Sequence, residues 1–347
     1  MVEKTVPLSE KENFDIEKLN QLLVKAIPEI TAIKNITRFP GGYSNLTYQI
    51  QTAKQNLVMR MAPPGAAIQS AHDMEREFKV LTQLEPFFSL IPRPVLYCTD
   101  ETITGKPFYI MQALEGIILR AQNAPRLSLS QAQFTHCSTL LVETLAALHS
   151  IDIHKTNLVV MGKPEGYVSR QVNGWIKRYY AAETNKISSM DAVAQWLEQN
   201  LPREQVPAFL HNDFKYDNVV FNESLTSVEG ILDWEMATVG DPLMDLGAML
   251  AYWFEADEEP IFKHYNCTWL TGNLTRSEII AMYASLTNRD VSDIHFYYAF
   301  GLFKNAVIAQ QIYHRYQQGH STDERFGALL PLIELLGTKA LKAIRQY

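Results

Sequence analysis

His211-Asn212-Asp213-Phe214-Lys215-Tyr216-Asp217-Asn218 is the stretch from which the rest of the chain can be read. It gathers an imidazole, an ammonium, two carboxylates and two amides into eight positions. Two short apolar runs follow, Val219–Phe221 and Val228–Leu232, and they read as the strands of a hairpin. Such a hairpin returns Ile231-Leu232-Asp233-Trp234-Glu235 to the level of Asn218, so Asp233 comes close to it. Next comes Gly240-Asp241-Pro242-Leu243-Met244-Asp245-Leu246-Gly247, which opens a helix. Asp241 suits its N-cap and Pro242 its first position, and both Asp241 and Asp245 read as structural.

The bulk of the sequence limits what these residues can belong to. The 347 positions suffice for one large or two medium cores. About half are apolar and a fifth charged, which excludes disordered and fibrous classes. A net charge of -7 argues against a nucleic-acid binder, which needs a basic face. Cys98, Cys137 and Cys267 are far apart, odd in number and form no C-x-x-C pair, which fits reduced thiols and excludes a cysteine-rich zinc site. Met1–Thr5 lacks an apolar signal region. The most apolar stretch, 244–254, contains Asp245 and is too short to span a bilayer. The expectation is a cytoplasmic protein with no membrane segment.

The hydrophobic period changes along the chain. Ile16, Leu19, Leu22, Leu23, Ala26 and Ile27 form a helical stripe ended by Pro28. Leu46, Tyr48 and Ile50 alternate as a half-buried strand. The turn Ala53-Lys54-Gln55-Asn56 joins it to a second strand, Leu57–Met61. Residues 70–84 read as a helix, and Val95–Tyr97 and Phe108–Met111 as strands around Gly105. Beyond them Ser130 and Gln133 make a capping box, with Leu129 and Phe134 placed as a hydrophobic staple, for a helix reaching about His149. The stretch 243–347 is mainly helical. The acidic run Glu255, Asp257, Glu258 and Glu259 reads as a solvated loop, with a cationic substrate site as the alternative. The aromatics of 296–313 recur at helical spacing and read as core.

The spacing His-x-Asp-(x)4-Asn matches the H-R-D-L-x-x-x-N loop of protein kinases at His211, Asp213 and Asn218. A carboxylate such as Asp213 can orient a hydroxyl and take its proton. An amide oxygen such as that of Asn218 is a hard, neutral donor suited to Mg²⁺. His211 reads as a packing residue of the loop. Together with Asp233-Trp234-Glu235 and Gly240–Leu246, the pattern resembles the aminoglycoside phosphotransferase and choline kinase superfamily. That resemblance covers residue 35 to the C-terminus.

The resemblance implies an α+β, protein-kinase-like two-lobe fold, with a β-rich N-lobe over 1–112 and a mainly helical C-lobe over 113–347. It implies transfer of the γ-phosphoryl group of ATP, with Mg²⁺, to a hydroxyl of a small molecule. Asp213 is then the base and Lys215 a cation on the transferred group. Asn218 and Asp233 hold the metal, with Trp234 packing where the kinase motif has Phe. Gly41, Gly42, Ser44 and Asn45 form the nucleotide loop. Arg60 stands where the family has a phosphate-gripping Lys, Glu77 (or Glu75) is its helix partner, and Gln112 completes the nucleotide-binding set. Arg60-Met61-Ala62-Pro63-Pro64 and the late aromatic helix resemble the branch related to the kinase-like domain of certain acyl-CoA dehydrogenases. That branch implies a hydroxyacyl thioester or related hydroxy acid as acceptor.

Gly240 follows Asp233 by only seven positions and no A-P-E element appears, so a small-molecule acceptor is expected rather than a protein. The alternative function is a nucleotide-binding pseudokinase, which Arg60 and the Glu235 in place of the kinase glycine motivate. Oligomeric state is not legible in the sequence.

Overall fold

The computed structural model describes residues 5–9, 12–40, 45–63, 73–321 and 323–345. Along the chain these form β1 (Val6–Pro7), α1 (Ile16–Ala26), β2 (Ile33–Arg38), β3 (Leu46–Thr52), β4 (Asn56–Met61) and α2 (Met74–Leu84). Then come β5 (Pro94–Cys98), the single turn α3 (Glu101–Thr104), β6 (Phe108–Gln112), α4 (Gln131–His149), α5 (Tyr167–Ala181) and α6 (Ser188–Gln199). They are followed by β7 (Ala208–Leu210), β8 (Val219–Phe221), β9 (Val228–Ile231), β10 (Thr238–Gly240) and α7 (Pro242–Ala251). Last are α8 (Arg276–Thr287), α9 (Ile294–Gln317), the turn α10 (Glu324–Gly327) and α11 (Leu330–Arg345). No described helix is long and apolar enough to cross a membrane.

Two compact units emerge, one of Met1–Ile118 with Asn218–Ala237, the other of Leu119–Asp217 with Thr238–Tyr347. The first is built on an antiparallel sheet of order β1-β2-β3-β4-β6-β5. Its central hairpin pairs Tyr48 with Met59 and Ile50 with Leu57, all four buried on one face of the sheet, while Gln49 and Arg60 on the other face are buried as well. The Thr52 hydroxyl closes the turn by donating to Gln55 O at 2.8 Å. The stripe of α1 buries Leu19 and Leu23, Asp15 caps it, and the chain is already extended at Ile27, before Pro28. Of the helix read over 70–84, Met74–Leu84 is observed, capped by Asp73; residues 70–72 lie outside the described set.

The boundary read at 112–113 therefore moves. The first unit runs on to Ile118, and the β8–β9 hairpin returns to it. The cause is backbone pairing. Ile117 and Phe221 exchange hydrogen bonds at 2.7 and 2.8 Å, and Ile231 N–H donates to Leu90 O at 2.9 Å. Gly116, at φ +150°, permits this approach, since a β-carbon there would lie 2.0 Å from Phe221 O.

The second unit is mainly helical. Ser130 and Gln133 form the capping box of α4, and β7 pairs antiparallel with β10. The 24-residue α9 runs against α5, α6, α7 and α11 and buries Phe296, Tyr297, Phe300 and Phe303 as core. It crosses α7 at a pair of glycines. A β-carbon on Gly301 would lie 2.5 Å from Gly247 O, and one on Gly247 would lie 2.4 Å from Tyr297 O. Side chains there would wedge α9 away from the helix that carries Asp241 and Asp245. Gly301→Val is expected to lower stability by about 1–3 kcal/mol through overpacking, read as a fall of several degrees in thermal unfolding.

Candidate active site

In the second unit the loop after β7 is shaped by one buried carboxylate. Asp245, fully buried on α7, accepts from His211 N at 2.6 Å, Asn212 N at 2.9 Å and His149 Nε2 at 3.2 Å. Burial opposes its charge, but His149 and these N–H groups more than offset it and hold its pKa below the ordinary aspartate value. One turn earlier, Asp241 caps α7 through Leu243 N at 2.9 Å. It also accepts from Gln205 N at 2.8 Å and from the Tyr297 hydroxyl at 2.8 Å. The structural reading of both residues agrees with this geometry.

Held in this way, Asn212 adopts φ +66° and Asp213 follows it. His211 is buried and its Nδ1 accepts from Asp213 N at 3.2 Å. Lys215 Nζ lies 2.7 Å from both oxygens of Asp213 and 4.5 Å above the Tyr252 ring. Burial works against the Lys215 charge, yet Tyr252 and Asp213 raise its pKa well above the lysine norm. Burial lifts the Tyr252 phenol to about 12. Asp217, 3.8 Å from Arg120, is raised by burial, with Lys215 and Arg120 resisting. Asp217, Tyr252 and Arg120 escaped the sequence reading. Only the position of Asp217 inside the motif signalled it.

In the first unit Val219 pairs with Ile231, and Leu232 N donates to Asn218 O at 2.8 Å. Asn218 and Asp233 thus stand at one end of the β8–β9 hairpin, as the spacing predicts. Asp233 has φ +67° and leads into the turn Trp234–Met236. Trp234 is buried against Phe88 and donates to Ile231 O at 2.8 Å. Arg60, buried on β4, donates from Nη1 to Glu77 at 2.8 Å and from Nη2 to Asp233 at 3.0 Å, with Glu235 at 3.9 Å. Glu75 instead pairs with Lys79, so Glu77 is the helix partner of Arg60. Burial raises the Glu77 carboxyl and Arg60 checks that rise. Burial opposes the Arg60 charge, but Glu77 and Asp233 outweigh it.

Glu235 accepts from Asn45 Nδ2 at 2.9 Å. Arg76 donates to the carbonyls of Glu235, at 3.0 Å, and of Ala237. Gln112 lies exposed at the end of β6, its N–H on Arg93 O at 2.8 Å. Gly41, Gly42 and Ser44 fall outside the described residues.

Arg60 therefore faces three carboxylates, and with the Arg76 guanidinium on the Glu235 backbone counted, a formal excess of one negative charge remains. That excess, with the Asp233 carboxylate and Asn218 amide as oxygen donors, fits Mg²⁺, which takes few protein oxygens and shares its shell with water and phosphate. The acidic run is corrected in part. Glu255 and Glu258 bind Arg276 at 3.1 and 2.6 Å, and Lys339 also meets Glu258, so these two carboxylates form an ion network rather than a solvated loop.

The model of the phosphotransferase enzyme family matches residues 35–277. Acyl-CoA dehydrogenase family member 11 of Rattus norvegicus is 35% identical over 328 residues, covering 92% of this chain and 42% of the rat protein. The chain thus spans about two fifths of that relative. A solved Ralstonia eutropha structure, described as a candidate aminoglycoside phosphotransferase, superposes with a TM-score of 0.83 at 27% identity, covering 96% of this chain and 99% of that one. Choline kinase of Cryptosporidium parvum shares the fold at a TM-score of 0.67 and 14% identity, covering 96% of each chain. The α+β two-lobe architecture is the protein-kinase-like one.

Arg60→Met leaves Glu77 buried without its cation, and a loss of about 3 kcal/mol is expected. Glu77 then holds its proton to higher pH in the folded state than in the unfolded chain. Stability of the variant should therefore fall as pH rises from the ordinary glutamate value of 4.5 through the raised folded value. Thermal unfolding from pH 5 to pH 8 measures this. Adding Glu77→Leu should restore most of the loss and flatten the profile.

Proposed function

This chain belongs to the phosphotransferase enzyme family, and on that premise we propose that it is an ATP- and Mg²⁺-dependent kinase acting on a hydroxyl of a small molecule. The observation that carries the reading is Arg60 set between Glu77 and Asp233 with a net negative surplus around it. A phosphate-gripping cation paired to a helix carboxylate, beside an acidic metal ligand, is what nucleotide binding requires.

In the proposed reaction Asp213 accepts the proton of the acceptor hydroxyl as its oxygen bonds to the γ-phosphorus and the bond to ADP breaks. Lys215, already on Asp213, offsets charge on the transferred group. Arg60, steadied by Glu77, binds nucleotide phosphate. Asn45, the nucleotide loop and Gln112 complete that set. Asn218 and Asp233 would hold Mg²⁺, which supplies charge neutralisation to the phosphates.

For the acceptor we propose a hydroxyacyl thioester or related hydroxy acid. The name of the rat relative, of which this chain spans about two fifths, contains the words acyl-CoA; the hydroxyl is what the proposed transfer itself requires. The net charge of -7 supports a small acceptor over nucleic acid. A second reading, a pseudokinase, has one observation in its favour: Arg60 already occupies Asp233 Oδ1.

Thermal unfolding with Mg-ATP tests the nucleotide half. At about 100 times Kd the ligand should stabilise by about 2.7 kcal/mol, and Asp233→Ala should abolish the Mg²⁺-dependent part. Absence of any shift rejects the reading. ATP consumption with pooled hydroxyacyl thioesters tests the chemistry. Asp213→Asn should cut turnover about 10²–10⁴-fold and leave the nucleotide shift intact. A nucleotide shift in a parent that turns over no acceptor favours the pseudokinase.

A further inference from the structure

Lys304 is a buried ammonium that the proposed chemistry does not use. It sits on α9 among the aromatic and aliphatic residues of that helix and is only 7% exposed. Its Nζ donates to Asn212 O at 2.9 Å, a backbone carbonyl rather than a carboxylate, and lies 5.7 Å from the Trp175 ring centroid. Burying an ammonium is costly unless it is paired and hydrogen-bonded, and here the hydrogen bond is to a backbone carbonyl. Burial lowers its pKa, and the carboxylates of Asp213 and Asp245 act against that fall.

Asn212 is gripped from three directions. Its N–H donates to Asp245 on α7, its carbonyl accepts from Lys304 on α9, and its side-chain oxygen accepts from the Tyr167 hydroxyl on α5 at 3.1 Å. The grip matters because Asn212 holds a left-handed φ of +66°, a conformation that persists in a non-glycine residue only where the surroundings enforce it. The next residue is Asp213. The glycine crossing of α7 and α9 brings the Asp245 and Lys304 helices close together, and the two side chains act on the peptide groups on either side of Asn212.

We propose that Lys304 is a positioning residue for phosphoryl transfer: by holding the Asn212 carbonyl it fixes the left-handed turn that presents Asp213. This rests on the reading of Asp213 as the base. It predicts an effect on turnover rather than on nucleotide affinity, because the contact lies behind the base.

The test compares Lys304→Met and Lys304→Gln with the parent. Methionine keeps the length and removes the donor; glutamine keeps an N–H donor without the charge. Expected is a loss of kcat of at least about tenfold for Lys304→Met with KM for ATP unchanged, since small misplacements of reacting groups cost this much or more. Lys304→Gln should recover most of that loss. A Lys304→Met variant with parental kcat overturns the proposal, as does a folded Lys304→Gln variant no better than Lys304→Met. A parent inactive on every acceptor would defeat the kinase reading, and of the proposal only the hold of Lys304 on the Asn212 turn would remain to be tested. Amide hydrogen exchange across 209–215 then decides: faster exchange confined to that segment in Lys304→Met supports the positioning role, and unchanged exchange overturns it. If Lys304→Met does not fold, the kcat and exchange of Lys304→Gln are read alone, near-parental values being the supporting result.

Discussion

A fully buried carboxylate has to find donors, and in the helical unit Asp245 finds them on two separate segments. His149 comes from the end of α4, and the N–H groups of His211 and Asn212 come from the loop after β7. Remove that carboxylate and the loop loses two of the hydrogen bonds that orient it, and His149 loses its carboxylate partner. The i, i+4 spacing of Asp241 and Asp245 puts both on one side of α7. The first ties the helix start to Gln205 and to Tyr297 of α9; the second ties it to the loop. The run Gly240–Leu246 is thus a structural device whose purpose is the geometry of residues 211–213.

The sheet unit solves a similar problem with the opposite charge. There a buried cation, Arg60, gathers acceptors from elements distant in sequence: Glu77 on α2, and Asp233 and Glu235 after β9. Arg76, next to Glu77 on the same helix, holds the backbone of the 235–237 segment. So α2 reaches that segment twice, once through Arg60 and once directly. Both units place a proposed reactive aspartate at or next to a left-handed residue, Asn212 in one and Asp233 in the other. Each strained position lies just past the end of a strand, where neighbouring hydrogen bonds can enforce it.

How much of this could be read beforehand depended on range. Local signals were legible. Alternation at Leu46, Tyr48 and Ile50, the Ser130–Gln133 box and Pro242 at a helix start each express physics within a few residues. The hairpin that aligns Asn218 with Asp233 was legible because its strands are short and adjacent. The pairs β1–β2 and β7–β10 were not, since their partners lie far apart and their runs are too short to show a period. The helices α5 and α6 passed unmarked. The return of 218–237 to the first unit depends on Ile117 and Leu90, which nothing near residue 220 announces. Lys304 and Tyr252 were hidden for the same reason: each matters here through a contact with the 211–217 loop, which nothing near it in the sequence announces.

The choice of arginine at position 60 follows from the number of partners it serves. An ammonium is a compact point charge whose donors share one nitrogen, so holding carboxylates on two sides would draw both towards a single point. A guanidinium presents separate nitrogens on a planar fork, and here Nη1 serves Glu77 while Nη2 serves Asp233. The fork can therefore keep α2 and the Asp233 segment at a fixed spacing while its charge offsets part of the local negative excess. Arg60→Lys would preserve the charge and lose that spacing. What the arginine supplies at position 60 is then geometric reach between two carboxylates, with a negative surplus remaining around it.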